Sequence, residues 1–590
     1  MSRRACYPRP DFRRETWMSL NGAWRFSFGD EEKDRMDQPP TLSQLPLTIE
    51  VPYVYQSELS GIGQTEAHDV VWYGKTFRLP DCFDARTHLI FGAVDWHCDL
   101  FVNGRYAGSH DGGYTPFRTD ITPFLRADGE QELILRVEDT LRCDQLRGKQ
   151  SWEEEPSRCW YTPSTGIWQS VWLERVPDNP IQSIHITPNL PQSEIRCEIS
   201  LNKPPKKDGQ FKIDVQYQGH PVAALTCKTK QMNVDLSVPI QPEDYIDEIH
   251  YWTPEHPNLY DVTVSYASDG QTDQVFTYFG FRDVCTRDGK TLLNHRPIYQ
   301  RLILHQGYYD GGLLTADTDE RYRTDLQTIK DMGFNGVRMH QKIEDPLFYY
   351  WADKIGLLVW GELPSCYEFS ELAMRRSFES MREFIQRDYN HPSIVCWVPL
   401  NESWGVRNIE QNAAQQRYAV SLYHFIKAMD STRWVSTNDG WEQVTTDFCT
   451  LHDYSFDGKA LSSRWDDLDA LLQSAAQDRM IFASGYQYTG QPILLTEFGG
   501  VAFKTNQSEK DWGYCAIEKN EASYIRRLTS LFSYIKTNRR IQGYCYTQFT
   551  DVMQETNGLL SIRREPKIAI DVIRAILFGT DDSEPISPVP

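Results

Sequence analysis

From about residue 290 onward, short apolar runs alternate with segments of helical period, and this alternation constrains the fold more than any other feature. Eight runs read as strands: IYQRLIL, GVRMH, LLVWGE, IVCWVPLNE, WVSTND, FCTLHDY, ILLTEF and GYCYTQ. Helical stretches such as DPLFYYWADKIG, RRSFESMREFIQRDY and EASYIRRLTSLFSYIKT separate them. Strands apolar on both faces belong in a parallel sheet covered by helices. Eight β–α units over about 300 residues suit a (β/α)8 TIM barrel; a doubly wound sheet is the rival.

Upstream the pattern is β throughout. In residues 1–180 runs such as WYGKTFRLP, CDLFVNG and ELILRVED are separated by Gly, Asp and Pro turns, which suits a β-sandwich. Residues 181–282 repeat this with FKIDVQYQ and YDVTVSY over about 100 residues, the size of one immunoglobulin-like sandwich. A chain of 590 residues is too long for one core. The expected units are 1–180, 181–282 and a barrel over 283–590.

Several inferred barrel strands end in polar groups: Arg338 and His340, Glu362, Asn401 and Glu402, Asn438 and Asp439, His452 to Tyr454, Glu497, and Gln548. In a TIM barrel those ends share one mouth, where catalytic residues gather. Glu402 and Glu497 each follow a run that must be buried, and burying a lone carboxylate is costly. Glycoside hydrolysis gives a reason for two: one protonates the leaving oxygen, the other attacks or stabilises the anomeric carbon. A non-catalytic carbohydrate-binding protein needs neither.

Composition narrows the partners. A net charge of −21 argues against nucleic acid and against an anionic membrane surface. Thirteen scattered Cys without a CxxC pair give neither a disulfide framework nor a zinc signature. No apolar run is long enough to span a bilayer, and MSRRACYPRPDFRRETW has no apolar stretch to act as a signal. The expectation is a cytoplasmic protein with reduced thiols, no metal and no cofactor.

Motifs along nearly the whole chain resemble glycoside hydrolase family 2, the β-galactosidases, β-glucuronidases and β-mannosidases. They are WMSLNGAWRFSF, FVNGRYAGSHDGGYTPFRTDIT, GIWQSVWLE, FGFRDV, LNHRPIYQR, GFNGVRMH, WADKIGLLVWGE, YNHPSIVCWVPLNES and ILLTEFGG. The resemblance implies a sugar-binding jelly roll, an immunoglobulin-like domain and a catalytic barrel. It implies Glu402 as acid/base, Glu497 as nucleophile, and Asn401 on the sugar 2-hydroxyl. Arg338 and Tyr454 would orient and ionise Glu497. His452 and Asp453 are expected just behind the site. His391 is expected to brace the loop into strand four. Trp404 and Tyr546 are candidates for sugar stacking, with rim packing as the alternative. Family members often form dimers or tetramers, so a homo-oligomer stays open.

The substrate is blurred by departures from the family pattern. The β-galactosidase RGVNRHE-like string is replaced by residues Arg301 to Gly307, reading RLILHQG. Trp160 stands where an Asp precedes the GI-W segment. The Asn-x-Lys pair of glucuronidases is replaced by Glu555-Thr556-Asn557-Gly558, without the Lys. A basic cluster of Arg338, His340 and Lys342, with Arg301 and His305, offers another route to a uronate carboxylate; a solvated Lys342 is the rival. Residues 147–163 read as a first-domain loop reaching the barrel mouth. The expected activity is a retaining exo-β-glycosidase acting on a terminal β-galactoside or β-uronide. Transglycosylation would use the same site.

Overall fold

The computed structural model describes residues 4–579 except 30–38, 128, 154, 242–248, 474–478 and 505–509. The first unit is a jelly-roll sandwich. Its six-stranded antiparallel sheet includes Gly22–Phe28, Val70–Phe77, Gln131–Glu138 and His97–Val102, and a four-stranded sheet includes Val171–Val176 and Arg86–Phe91. Trp24, Phe26, Tyr73, Leu89, Leu100 and Leu173 fill the space between. The second unit packs a three-stranded sheet on a four-stranded one. In Gly209–Tyr217 the residues Phe211, Ile213 and Val215 are buried while Gln210, Lys212 and Gln216 are exposed, the period-two signature of a strand with one wet face.

The barrel strands are Gln300–His305, Gly336–Met339, Leu358–Glu362, Ile394–Val398 continued by Leu400–Asn401, Trp434–Val435 continued by Asn438–Asp439, Cys449–Asp453, Ile493–Gly499 and Ile541–Thr547. Numbered one to eight, they pair in parallel in the order 5-4-3-2-1-8-7-6. Strand eight lies beside strand one, as a curled TIM-barrel sheet requires. The backbone ladder breaks between strands five and six. A side chain fills the gap: Gln443 Nε2 donates to the Thr450 carbonyl at 2.5 Å, and Thr450 N donates to Gln443 Oε1 at 3.2 Å. Glutamine carries an amide like that of the backbone, so it can stand in for a strand neighbour.

Pleating decides which side chains reach the interior. Leu302 and Leu304 of strand one face the inner core with Trp360, Leu494 and Cys545, whereas Ile303 packs outward against the helical layer. Trp252, Val284 and Leu293 close the floor. At the opposite end the first sandwich docks on the rim. Arg147 N and Gly148 N donate to the Ser365 carbonyl at 3.0 and 3.1 Å, and Tyr367 N donates to the Cys143 carbonyl at 2.8 Å. Gly148 has φ +58°, and a Cβ there would meet the Gln341 carbonyl oxygen at 2.4 Å. Only glycine permits that approach. The expected reach of residues 147–163 to the mouth is thus present.

Candidate active site

Arg338 on strand two is wholly buried and organises the mouth. Its Nε donates to Glu362 at 2.9 Å, one terminal nitrogen to Glu497 at 3.0 Å and the other to Asn401 Oδ1 at 2.7 Å. It also lies 3.2 Å from Asp439. One guanidinium therefore joins strands two, three, four, five and seven, using the planar fork that suits arginine to several carboxylates.

Glu497 accepts from Arg338 on one oxygen and from the Tyr454 hydroxyl at 2.5 Å on the other. Tyr454 is fixed by parallel stacking on Tyr514, with centroids 3.6 Å apart, and by Thr547 Oγ1 at 3.2 Å. Two donors, one on each oxygen, fix the orientation of the carboxylate. Glu402 sits just beyond strand four. Both Glu402 and Ser403 have positive φ, 52° and 57°, which costs about 1–3 kcal/mol per residue unless the surroundings hold it. They do: Glu402 N donates to the Asp439 carbonyl at 2.9 Å, and Ser403 N to Asn438 Oδ1 at 3.0 Å.

His452 stands between the two carboxylates. Its Nδ1 is 2.8 Å from Glu402 and 3.5 Å from Glu497, and its Nε2 is 3.6 Å from Asp439. Burial opposes a charge on this ring, but Glu497, Asp439 and Glu402 outweigh it and push its pKa up to about 10. Burial likewise pushes Glu402 upward, and the His452 contact more than reverses it, leaving Glu402 below the usual carboxylate range. Glu362 goes the other way: burial, only partly offset by Arg338, lifts it to about 7. Burial, with Arg338 and Lys149 nearby, holds His340 far below the ordinary histidine value, so it is neutral. A ligand oxygen of Glu402, one of Glu497 and a His452 nitrogen all lie within 4.8 Å of one another. That spacing could seat a cation, but a protonated histidine is no ligand. Asp283, Cys285 and His295 form a second such group on the connecting hairpin.

The wall of the mouth is aromatic. Trp160, from the first-domain loop, meets Trp404 edge-on at 5.0 Å and Trp152 at 5.1 Å. Arg407 caps Trp404 at 3.5 Å, and Trp404 Nε1 is 3.4 Å from Glu402. The Glu402 side chain is 19% exposed and that of Glu497 4%, so solvent reaches the pair from the Glu402 side.

Two candidates face the wrong way. His305 is odd-numbered on strand one, on the outward face. Its Nδ1 accepts from Gly307 N and its ring packs on Phe549 and Phe348. Tyr546 is flanked by inward Cys545 and Thr547 and lies outward between Phe498 and Phe532. The same pleat turns Arg301 out over Phe578. Lys342 is buried, not solvated, and is spent on Glu344 and two carbonyls. The basic cluster therefore does not form one anion site. Asp453 is held by Trp465 and Ser455, away from the pair. His391 bonds Asp353 at 2.5 Å, and Asp353 in turn accepts from Ser393 N, which braces the entry to strand four.

Sequence reading missed Gln306, Glu555 and Lys149. Gln306 is the next inward residue after Leu304, and its Nε2 bonds Gln548 at 2.7 Å; counting by two from Leu302 would have found it. Glu555 accepts from Tyr161, Gln306 and Asn557. The Gly148-Lys149 pair carried no sequence signal of depth.

Family models match the chain in three consecutive stretches: the sugar binding domain of glycosyl hydrolases family 2 over residues 17–177, a second family 2 domain over 179–282 and the family 2 TIM barrel domain over 284–576. A β-galactosidase of Thermoanaerobacter pseudethanolicus is 28% identical over 65% of this chain and 50% of its own. A β-glucuronidase of Streptococcus agalactiae is 24% identical over 95% of this chain and 96% of its own. Against three curated relatives the chain spans 40%, 50% and 34% of their length, about half or less. The crystal structure of a β-galacturonidase from Eisenbergiella tayi bound to galacturonate superposes with a TM-score of 0.74 at 20% identity, covering 97% of this chain and 98% of that one.

Proposed function

The chain belongs to glycosyl hydrolase family 2, and on that premise we propose that it is a retaining exo-β-glycosidase. One observation carries the stereochemistry. One nitrogen of His452 lies 2.8 Å from Glu402 and 3.5 Å from Glu497, so the two carboxylates sit close together, as the roughly 5–5.5 Å of a retaining pair requires and the roughly 6.5–9.5 Å of an inverting pair does not.

In this reading Glu497 is the nucleophile. Arg338 and Tyr454 keep it aimed by a hydrogen bond to each oxygen. The Glu402–His452 pair holds one proton, resting on the imidazolium. Passing it across 2.8 Å to Glu402 makes the acid that protonates the glycosidic oxygen. The glycosyl–Glu497 ester forms as the aglycone departs. Glu402, again a carboxylate, then takes a proton from water, whose oxygen attacks the anomeric carbon and frees Glu497. Asn401 spends its Oδ1 on Arg338, which leaves its amide nitrogen as a donor for the sugar 2-hydroxyl. The Trp160–Trp404 wall limits the site to a terminal sugar. The relatives named above act, by their names, on β-galactosides, β-glucuronides and β-galacturonides, and this chain is assigned a terminal β-linked sugar of that group. All thirteen cysteines stand unpaired, which supports a cytoplasmic location; among the described residues no helix is long and apolar enough to cross a membrane.

The test is the anomer released first from a p-nitrophenyl β-glycoside, read by proton NMR before mutarotation. The β anomer is expected. The α anomer would mean inversion and sink the covalent route. No turnover across galactoside, glucoside, mannoside, glucuronide and galacturonide would favour a binding protein.

A further inference from the structure

Lys149 is the one lysine that the first-domain loop carries into the barrel mouth, directly after the glycine that lets the loop touch Gln341. It is 93% buried, its exposure being 7%. Its charged neighbours are Glu555 and Glu402, with Tyr367 and Cys159 beside them. Among the described residues no carboxylate oxygen comes within 4.0 Å of its ammonium. Its hydrogen-bonding neighbour is the Cys159 thiol, a weak acceptor. The other fully buried lysine at this end, Lys342, has Glu344 and two carbonyls.

Burial opposes the Lys149 charge, but Cys159, Tyr367, Glu555 and Glu402 outweigh it and hold the group charged above the ordinary lysine range, with no carboxylate in direct contact. The neighbouring acids do not supply the pair. Glu555 already has three donors, from Tyr161, Gln306 and Asn557. Glu402 is engaged by His452. A second polar group near Lys149 is equally unspent: the Tyr308 hydroxyl is buried with no hydrogen-bond partner, and Lys149 is the strongest charge acting on it. An ammonium with no carboxylate in direct contact and a buried hydroxyl donor without a partner make a seat for a carboxylate.

We propose that Lys149, contributed by the first domain, is the specificity residue that binds the carboxylate of a terminal hexuronic acid, so that the preferred substrates are β-hexuronides. This rests on the glycosidase reading above and assigns its substrate class. The Asn-x-Lys lysine is absent from the loop after strand eight, where Asn557 and Glu555 stand, and the positive charge comes instead from the first-domain loop that packs against it.

The test pairs turnover with binding. On p-nitrophenyl β-glucuronide and β-galacturonide against the β-glucoside and β-galactoside, the protein is expected to favour at least one uronide. Lys149→Gln should lower kcat/KM on that uronide about a hundredfold and shift the uronide-to-hexoside ratio by a similar factor. Lys149→Arg, which keeps the charge, should recover much of that ratio. A structural lysine would lower both substrate classes together and leave the ratio unchanged, which overturns the proposal. Preference for a neutral hexoside in the unmodified protein overturns it too. Binding separates this from failure of the glycosidase reading. Glu497→Gln, unable to turn over, should bind free hexuronate at least tenfold more tightly than the matching hexose by calorimetry, and Glu497→Gln with Lys149→Gln should not. Equal binding of the two sugars sinks the assignment whether or not hydrolysis is seen.

Discussion

Two buried arginines hold this molecule together at different places, and they have opposite characters. Arg14 sits where the first segment meets both sandwiches. It bonds Asp273 with two nitrogens at 3.0 and 2.9 Å, Glu174 at 2.8 Å and the Ile181 carbonyl at 2.7 Å. Glu174 also accepts from Tyr7 and Trp172, and Asp273 from Ile181 N. Burial pushes Glu174 up, but Arg14 and these donors hold it below the usual carboxylate range. Arg338 stands in a larger cluster: Glu362, Asp439, Glu497 and, through His452, Glu402 crowd one guanidinium and one imidazolium. There Glu362 rises to about 7 and His452 to about 10. At the joint Glu174 is held low, whereas at the mouth one carboxylic acid, Glu362, is lifted to about 7. A buried salt bridge is thus no mark of function by itself. Groups lifted or lowered far from their ordinary values at an opening to solvent are the better mark.

Paired substitutions break the comparison most sharply. Glu497→Gln keeps shape and loses the nucleophile; kcat should fall by at least ~10⁴-fold while the melting temperature changes little. Arg14→Met should do the reverse. It strands two buried carboxylates and should cost about 3–5 kcal/mol in urea unfolding, while folded protein keeps its kcat. A Glu497→Gln protein with near-full turnover would remove the nucleophile assignment. An Arg14→Met protein as stable as the parent would show that the joint is not the rivet it resembles.

The His452 charge gives a gentler test. Its folded pKa is raised, from 6.5 to about 10. The stability it contributes is therefore fully present below pH 6.5 and is lost as pH rises through about 10. Unfolding free energy of the parent should decline across that window, and His452→Asn should flatten the decline. Arg14 does not touch His452, and Glu174 beside it is held low, so Arg14→Met should leave the alkaline slope as it was. Matching slopes for the parent and His452→Asn would mean that the ring between the carboxylates is neutral.

Much of this was legible because it depends on period and order. Eight apolar runs fix the number and sequence of the barrel strands, and the polar residues at their ends collect at one mouth whatever the loops do. The pair Glu402 and Glu497, with Arg338, Asn401, Tyr454 and His452, comes together as those strand ends dictate. The reach of the 147–163 loop to the mouth was legible, but the contacts it makes there were not. Nothing local marks Lys149 as deep: the residues before it, Arg147 and Gly148, dock on Ser365 and Gln341, and Tyr367, Glu402 and Glu555 from the distant barrel surround its charge. Nor does local pattern reveal that Gln443 closes the seam between strands five and six.

His305 and Tyr546 are a different matter, since the information was present. Both lie at carboxyl ends of strands, and position along a strand was read without its pleat. On strand eight the hydroxyl of Thr547 meets Tyr454, which in turn holds Glu497, whereas Tyr546 packs among Phe498 and Phe532 outside the barrel. Neighbours in sequence are on opposite sides of the sheet. Thr547→Val keeps the volume and deletes one hydrogen bond to the tyrosine behind the nucleophile, so kcat/KM should fall by about three- to tenfold, the worth of roughly 0.5–1.5 kcal/mol. Tyr546→Phe removes a hydroxyl that touches no reacting group and should change kcat/KM by less than about twofold. The smaller effect at the larger, more sugar-like aromatic is the outcome that pleating requires. If Tyr546→Phe instead proves the more damaging, strand eight is turned over by one residue, and every inward assignment on it, including the Tyr454–Thr547 support of Glu497, must be exchanged for its neighbour.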